Sequence, residues 1–255
     1  MKEEILKNIT AKREFSQLPK KDLEMTFSHF ENRQVSDEEK VRLTRELLHK
    51  VFGAFSSRKL MGAKQKDADW VLKKHMSTRE RFPYYGEIYK RIFSGIGKKA
   101  SVIDFGAGVN GFSYDFFKKV GKDIDYTGIE AVGQLVESTN NYFKKENIKG
   151  RAICLSLFEK EKIKKILLES KKPRIIFLFK VIDSLEMLQN DYSKKFLLEI
   201  GPLSERIIVS FATRSMIKRK EFHAKRNWII NFISDNFKVI DDFNFGGERY
   251  FVFKR

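Results

Sequence analysis

The sequence predicts an α/β fold with a mostly parallel sheet, preceded by an all-helical N-terminal domain, on three observations. Strand-like and helical stretches alternate from residue 100 onward. The first seventy or so residues carry helical apolar spacing and no strand pattern. The chain closes on two strand-like runs around Gly246-Gly247, which read as an antiparallel hairpin. Alternating βα units favour a parallel sheet covered by helices on both faces, because each crossover must return over one face.

The helical part comes first. Residues 2–9 and 20–31 have the spacing of short helices. Ser36-Asp37-Glu38-Glu39 is a capping box, in which the serine oxygen accepts a free N–H of the first turn. Val41, Leu43, Leu47, Leu48, Val51 and Phe52 then carry a helix toward Gly53. A helix over 64–75 would place Trp70, Val71 and His75 on one side. A second capping box, Ser77-Thr78-Arg79-Glu80, is expected to start another helix that Pro83 kinks or restarts. The domain boundary is placed there, giving 1–76 and 77–255.

Beyond it, strands are expected at 101–105, 125–130, 151–155, 174–180 and 206–211. Helices are expected at 112–120, 131–146, 159–170, 186–199 and 218–234, and the hairpin at 237–243 and 249–254. Trp70 and Trp228 fall in apolar helical stripes and are assigned to the core.

Composition narrows the function. Hydrophobic residues make up 42% of the 255 residues, and 24 phenylalanines can fill a sizeable core. Cys154, the single cysteine, excludes an internal disulfide framework and a multi-cysteine metal cluster, and its apolar strand predicts a buried packing role. The four histidines show no metal-ligand spacing, so no metal is expected. The sequence contains no apolar run near the roughly 18 residues of a membrane span, and Met1-Lys2-Glu3-Glu4 opens no signal-peptide core. A cytoplasmic monomer is the expectation. The net charge of +17 favours a polyanionic partner, RNA foremost.

Val102-Ile103-Asp104-Phe105-Gly106-Ala107-Gly108 places a glycine turn after the first strand, and Gly111 completes a G-x-G-x-x-G pattern. Glycines there let the backbone approach an adenosine-type ligand that any Cβ would obstruct. The second strand ends on Glu130, whose carboxylate can accept both hydroxyls of a ribose. The pattern is Rossmann-like. Asp104, two residues before the first glycine, and the long N-terminal extension favour S-adenosylmethionine over a nicotinamide cofactor.

His75-Met76-Ser77-Thr78-Arg79-Glu80-Arg81, read with Asp104 to Asn110 and Glu130, resembles the Arm/Rmt family of aminoglycoside-resistance 16S rRNA methyltransferases. Leu178-Phe179-Lys180, Leu185-Glu186, Ser210-Phe211-Ala212-Thr213-Arg214-Ser215 and Glu248-Arg249-Tyr250-Phe251-Val252 extend the similarity over about 75–255. The resemblance implies a class I methyltransferase sheet that transfers a methyl group from S-adenosyl-L-methionine to N7 of a decoding-site guanine. It implies that Arg79 binds the methionine carboxylate and that Asp104, Gly106, Gly108 and Lys180 line the cofactor. Glu130 would hold the ribose, and the N-terminal helices would dock on the small ribosomal subunit. The family usually has an acidic residue at the end of the third strand, where this chain reads Cys154-Leu155-Ser156-Leu157. Leu155 and Ser156 are therefore the expected adenine contacts.

Guanine N7 carries a lone pair and no proton, so no general base is assigned and catalysis is expected from positioning. The target base is expected to flip into the pocket and stack on a planar group, with Phe105, Phe179, Phe211 and Arg214 as candidates. Arg214, Lys218, Arg219, Lys220, Lys225 and Arg226 crowd the stretch after the fifth strand and are the expected phosphate contacts. Two other readings stay open: methylation of a different base, such as adenine N1, and a non-catalytic cofactor-binding factor that docks on the subunit.

Overall fold

A computed structural model of the chain describes residues 3–52, 67–213 and 226–255. Helices α1 (Glu3–Thr10), α2 (Lys20–Ser28) and α3 (Asp37–Val51) form the N-terminal part. The serine half of the first capping box forms, with the Glu39 N–H donating to Ser36 Oγ at 3.2 Å, while the Glu39 carboxylate pairs with Arg42 instead of reaching back. Helices α4 (Ala68–Lys74) and α5 (Met76–Arg81) follow. The second capping box does not form. Helix α5 begins two residues early with His75 at its N-cap, and the Ser77 hydroxyl accepts a hydrogen bond from Arg81 instead (2.6 Å). A buried guanidinium has no access to water, so it takes the nearby hydroxyl. Pro83 does restart the helix: a 3-10 turn at Phe82–Tyr84 leads into α6 (Tyr85–Ile92).

Seven strands follow: β1 (Lys99–Phe105), β2 (Asp123–Glu130), β3 (Gly150–Cys154), β4 (Arg174–Phe179), β5 (Arg206–Ala212), β6 (Lys238–Phe245) and β7 (Glu248–Lys254). They form one sheet in the order β3-β2-β1-β4-β5-β7-β6, parallel except for β7, which is antiparallel to both β5 and β6. All five expected parallel strands and the terminal hairpin are present. The crossover helices are α7 (Tyr114–Lys119), α8 (Gly133–Lys145), α9 (Lys160–Glu169), α10 (Ile182–Leu188), α11 (Tyr192–Ile200) and α12 (Asn227–Asn236). The helix expected at 186–199 is two helices, broken where Asp191 turns left-handed (φ 55°) and Glu186 accepts the Asp191 and Ser193 N–H groups at 2.7 Å each.

Side-chain alternation divides the core into two buried layers. Val102, Phe177, Phe179, Ile208 and Tyr250 face α6 and the N-terminal helices. Ile103, Phe105, Leu178, Val209 and Phe211 face α9 to α12. Residues on both sides of the expected boundary near 76 share the first layer: Ile9, Phe27 and Leu48 pack in the same cluster as Tyr85 and Val102. The N-terminal helices are thus fused to the sheet by a common core. Two packing expectations fail. Cys154 is exposed, because β3 is the edge strand and neither of its faces is fully covered. Trp228 is 37% exposed on α12, with Lys194 over its ring.

Candidate active site

The strand order reverses between β1 and β4, and a crevice opens there at the carboxyl ends of the strands, since the flanking helices depart to opposite faces. A cleft with about 820 Å³ of empty space out to its mouth occupies this position. The glycine turn forms its floor. Gly106 and Gly108 have φ +67° and +52°, and the Gly106 and Ala107 N–H groups donate to Ile129 O. A Cβ on Gly106 would stand 2.7 Å from Val181 Cγ2, and one on Gly108 would press on the His75 ring at 3.3 Å. Both positions therefore need glycine for conformation and for space.

Glu130 ends β2 inside the cleft. Its two oxygens accept the N–H groups of Gly108 and Val132, at 2.8 Å each. Burial raises its pKa, against the pull of those backbone donors. Each carboxylate oxygen keeps a second lone pair, so the group can still accept two hydroxyls.

Asp104 lies on the opposite wall, at the end of β1. The Asn110 amide and the Tyr126 hydroxyl both donate to its Oδ2, at 2.7 Å each. Its Oδ1 is buried with no hydrogen-bond partner among the described residues. Burial pushes its pKa up to about 6, opposed by Tyr126, Asn110 and the charge of Arg81.

An ion network closes this end. Arg81, 2% exposed, places its Nε–H on both oxygens of Glu248 at 3.0 and 3.1 Å, and its guanidinium lies 4.7 Å over the Phe179 ring. Lys180, left-handed at φ 57°, reaches Glu248 at 3.2 Å and also pairs with Glu80. Ser210 donates to Glu248 as well. Burial works against the ionised form of Glu248, but Arg81 and Lys180 outweigh it and hold its pKa below the usual carboxylate range. His75 beside them is held neutral by burial and by the two cations, its pKa lowered to about 3.

The other end of the cleft is apolar, lined by Ile129, Val132, Leu155, Leu157, Phe158, Leu185 and Leu188. Val51, Phe52 and Asp22 of the N-terminal helices complete the wall.

The expected site residues divide accordingly. Asp104, Gly106, Gly108, Glu130, Leu155, Lys180 and Phe179 all line the cleft. Arg79 does not: it is exposed on α5 and outside the lining. Two positions along a helix turn a side chain by about 200°, so Arg79 and Arg81 face opposite ways, and the inward one is Arg81. Ser156 is fully buried behind the cleft and donates to Asp22 Oδ1 at 2.8 Å. Phe105 and Phe211 are outside the lining, Phe105 packed against Phe196 and Phe211 beneath Arg226. Arg226 forks onto Asp183 and donates to Ala212 O. Arg214, Lys218, Arg219, Lys220 and Lys225 lie outside the described residues.

Sequence reading missed Arg81, Glu248 and Asp22. Arg81 and Glu248 sit in motifs already singled out, and a buried pair 167 residues apart leaves no local signal. Asp22 lies in a stretch that resembles an ordinary solvated helix start.

The cleft suits an adenosyl amino acid. Asp104 Oδ1 lacks a donor, as an ammonium group would supply; Arg81 keeps N–H groups for a carboxylate; Glu130 suits a ribose; and the apolar end suits a planar base.

A family model described as ribosomal RNA methyltransferase (FmrO) matches residues 61–228. A 16S rRNA (guanine(1405)-N(7))-methyltransferase of Proteus mirabilis is 24% identical over 190 residues, which cover 72% of this chain and 64% of that protein. The chain thus spans just under two thirds of that relative's length. Among solved structures, the 16S rRNA methyltransferase RmtF in complex with S-adenosyl-L-homocysteine superposes with a TM-score of 0.80 at 19% identity, covering 100% of this chain and 99% of that one. An rRNA methylase from Escherichia coli gives 0.75 at 19% identity, covering 99% and 98%. The 16S rRNA methylase RmtB gives 0.74 at 18%, covering 99% and 97%. At these identities the structural likeness establishes the fold.

Proposed function

The chain belongs to the FmrO family of ribosomal RNA methyltransferases, and on that premise we propose that it methylates N7 of a decoding-site guanine in 16S rRNA of the small ribosomal subunit. Such a modification would confer aminoglycoside resistance on a cytoplasmic ribosome. The observation that carries the reading is the cleft at the strand-order switch, where the glycine turn, Glu130 and the partnerless Asp104 Oδ1 converge. S-adenosylmethionine supplies an electrophilic methyl group when bound.

This chain's residues do the rest by holding and orienting. Glu130 would take the ribose hydroxyls, Asp104 the ammonium group and Arg81 the carboxylate of the methionine part. Glu248 fixes the Arg81 fork, so the guanidinium is aimed before any ligand arrives. Lys180 stays tied to Glu80 and Glu248, which leaves the wall beside Phe179 rigid. A guanine entering this wall needs no proton removed from N7, and alignment with exclusion of water can supply about 7–11 kcal/mol in favourable cases. The basic stretch of Arg214, Lys218, Arg219, Lys220, Lys225 and Arg226 follows β5, whose carboxyl end lies on the cleft side of the sheet. Phosphates flanking the target base are its proposed partners, and the N-terminal helices are the proposed second docking element.

The test uses purified small subunits, radiolabelled S-adenosylmethionine and the full chain, with mass-spectrometric mapping of the 16S rRNA. The expected product is one methyl group on N7 of a decoding-site guanine. Label on another base or atom would overturn the assignment of the acceptor.

A further inference from the structure

Among the described residues, Asp22 is the one acidic side chain that the N-terminal helices place in the cleft wall, and the reaction outlined above does not use it. It is 2% exposed in the first turn of α2. Its Oδ1 accepts the Ser156 hydroxyl at 2.8 Å, and the same hydroxyl oxygen accepts the Phe158 N–H at 3.1 Å. Its Oδ2 is buried and has no hydrogen-bond partner among the described residues. A buried acceptor without a donor is unfavourable, so a free oxygen in the wall of a cleft calls for a ligand that brings an N–H or O–H group.

The place of that oxygen defines the donor. Glu130 marks the ribose position, and the residues beyond it on the β3 side, Val132, Leu155, Leu157 and Phe158, form an apolar slot for a planar base. The sheet supplies no carboxylate at this edge, because Ser156 stands where the resemblance leads one to expect an acid. Ser156 instead orients a carboxyl delivered by another part of the chain.

The delivery is rigid. Helix α2 and the loop before it are tied to the sheet edge by several contacts. The Gln134 amide donates to Arg13 O at 2.8 Å, and the Cys154 thiol lies 3.5 Å from Gln17 O. Gly133 gives way to Gln17, whose side chain would stand 2.6 Å from any Cβ placed there. At the far end of α2, the His29 ring bonds Leu188 O at 2.9 Å.

We propose that Asp22 is the specificity-determining residue for the adenine ring, its Oδ2 accepting a proton of the exocyclic N6 amine, so that the N-terminal helices form part of the cofactor site. The proposal rests on the S-adenosylmethionine reading of the cleft. It makes the docking helices and the cofactor site one unit, since the residue that reads the base sits on a helix outside the sheet. Burial, with Glu130 and Glu159 nearby, raises the carboxyl pKa to about 7, while Ser156 and Lys21 pull it down. An amine donor arriving at Oδ2 stabilises the ionised form, so binding and ionisation reinforce each other.

Calorimetric titration of the full chain with S-adenosylhomocysteine and with S-inosylhomocysteine tests this. Inosine replaces the N6 amine with a carbonyl oxygen. Wild-type protein is expected to favour the adenosyl ligand by about 10- to 100-fold, the value of a hydrogen bond to a charged acceptor. Asp22→Asn keeps an oxygen for Ser156 and can turn an N–H toward the inosine carbonyl. It should lower adenosyl affinity about tenfold or more and shrink or invert the preference. Ser156→Ala leaves the carboxyl in place but unoriented and should narrow the preference by a smaller factor. Adenosyl affinity and preference unchanged in Asp22→Asn would overturn the proposal. Wild-type protein that binds neither ligand would instead overturn the cofactor reading, and this inference with it.

Discussion

The two ends of the cleft solve the problem of buried charge in opposite ways. At the Arg81 end, opposite charges meet in one network: Arg81, Lys180, Glu248 and Glu80, with Ser77, Asn110 and Ser210 adding hydrogen bonds. At the Asp22 end a single carboxyl faces an apolar slot, with one serine for support. The first end is set before any ligand binds. The second leaves an oxygen for the ligand to satisfy. The proposed roles match: the first arrangement suits a charged amino-acid tail held firmly, the second a base whose identity is checked.

Removing the centre of the first network should break the comparison most severely. Glu248→Ala leaves Arg81 and Lys180 buried without their shared counter-charge, and a loss of about 3–5 kcal/mol in urea unfolding is expected. A loss below 1 kcal/mol would mean that water already compensates the two cations. Next in size is Glu130→Ala, between the two ends. It removes the proposed acceptor of the ribose hydroxyls and the acceptor of two backbone donors, and calorimetric affinity for S-adenosylhomocysteine should fall about 10- to 100-fold.

The Asp22 end is sharpened by pH. Its carboxyl pKa rises from 3.8 to about 7 in the folded ligand-free protein. The native state then holds the proton more tightly than the unfolded chain, so this contribution to stability is full below about pH 4 and is lost as pH climbs toward 7. Asp104, raised to about 6 by burial, acts in the same direction. His75 acts the other way: lowered to about 3, it costs stability as pH falls below 6.5. The useful reading is therefore the difference between wild type and Asp22→Asn. The asparagine variant should gain relative stability from pH 4 to pH 7, and a difference independent of pH would show that the Asp22 carboxyl is solvated. The smallest effect separates neighbouring arginines. Arg79→Ala should leave cofactor affinity within about twofold of wild type, since exposed side chains outside a site contribute little. A tenfold loss would return the carboxylate contact to Arg79.

Much of this molecule is legible in its sequence because the signals are local. The glycine turn, Glu130 at a strand end, the proline restart and the hairpin glycines each follow from neighbouring residues and period-2 alternation. The stacking candidates show where local reading fails. Phe105, Phe179 and Phe211 all lie at strand ends and look alike, yet of the three only Phe179 lines the cleft, while Phe105 is packed against Phe196 and Phe211 lies beneath Arg226. The segment 75–81 contributes His75, Ser77, Thr78 and Arg81 to the cleft lining, and its inward arginine is the one whose charge finds Glu248 across the fold.

The sequence by itself determined the βα order, the turn that only glycine can make, the acidic end of β2 and the basic excess, since each depends on residues close together along the chain. Tertiary structure alone decided which of two arginines is buried, which phenylalanine faces the cleft, and that Asp22 lines it bonded to Ser156, 134 residues away. Those outcomes depend on which surfaces meet when the N-terminal helices close over the sheet, and a chain carries no local record of that meeting.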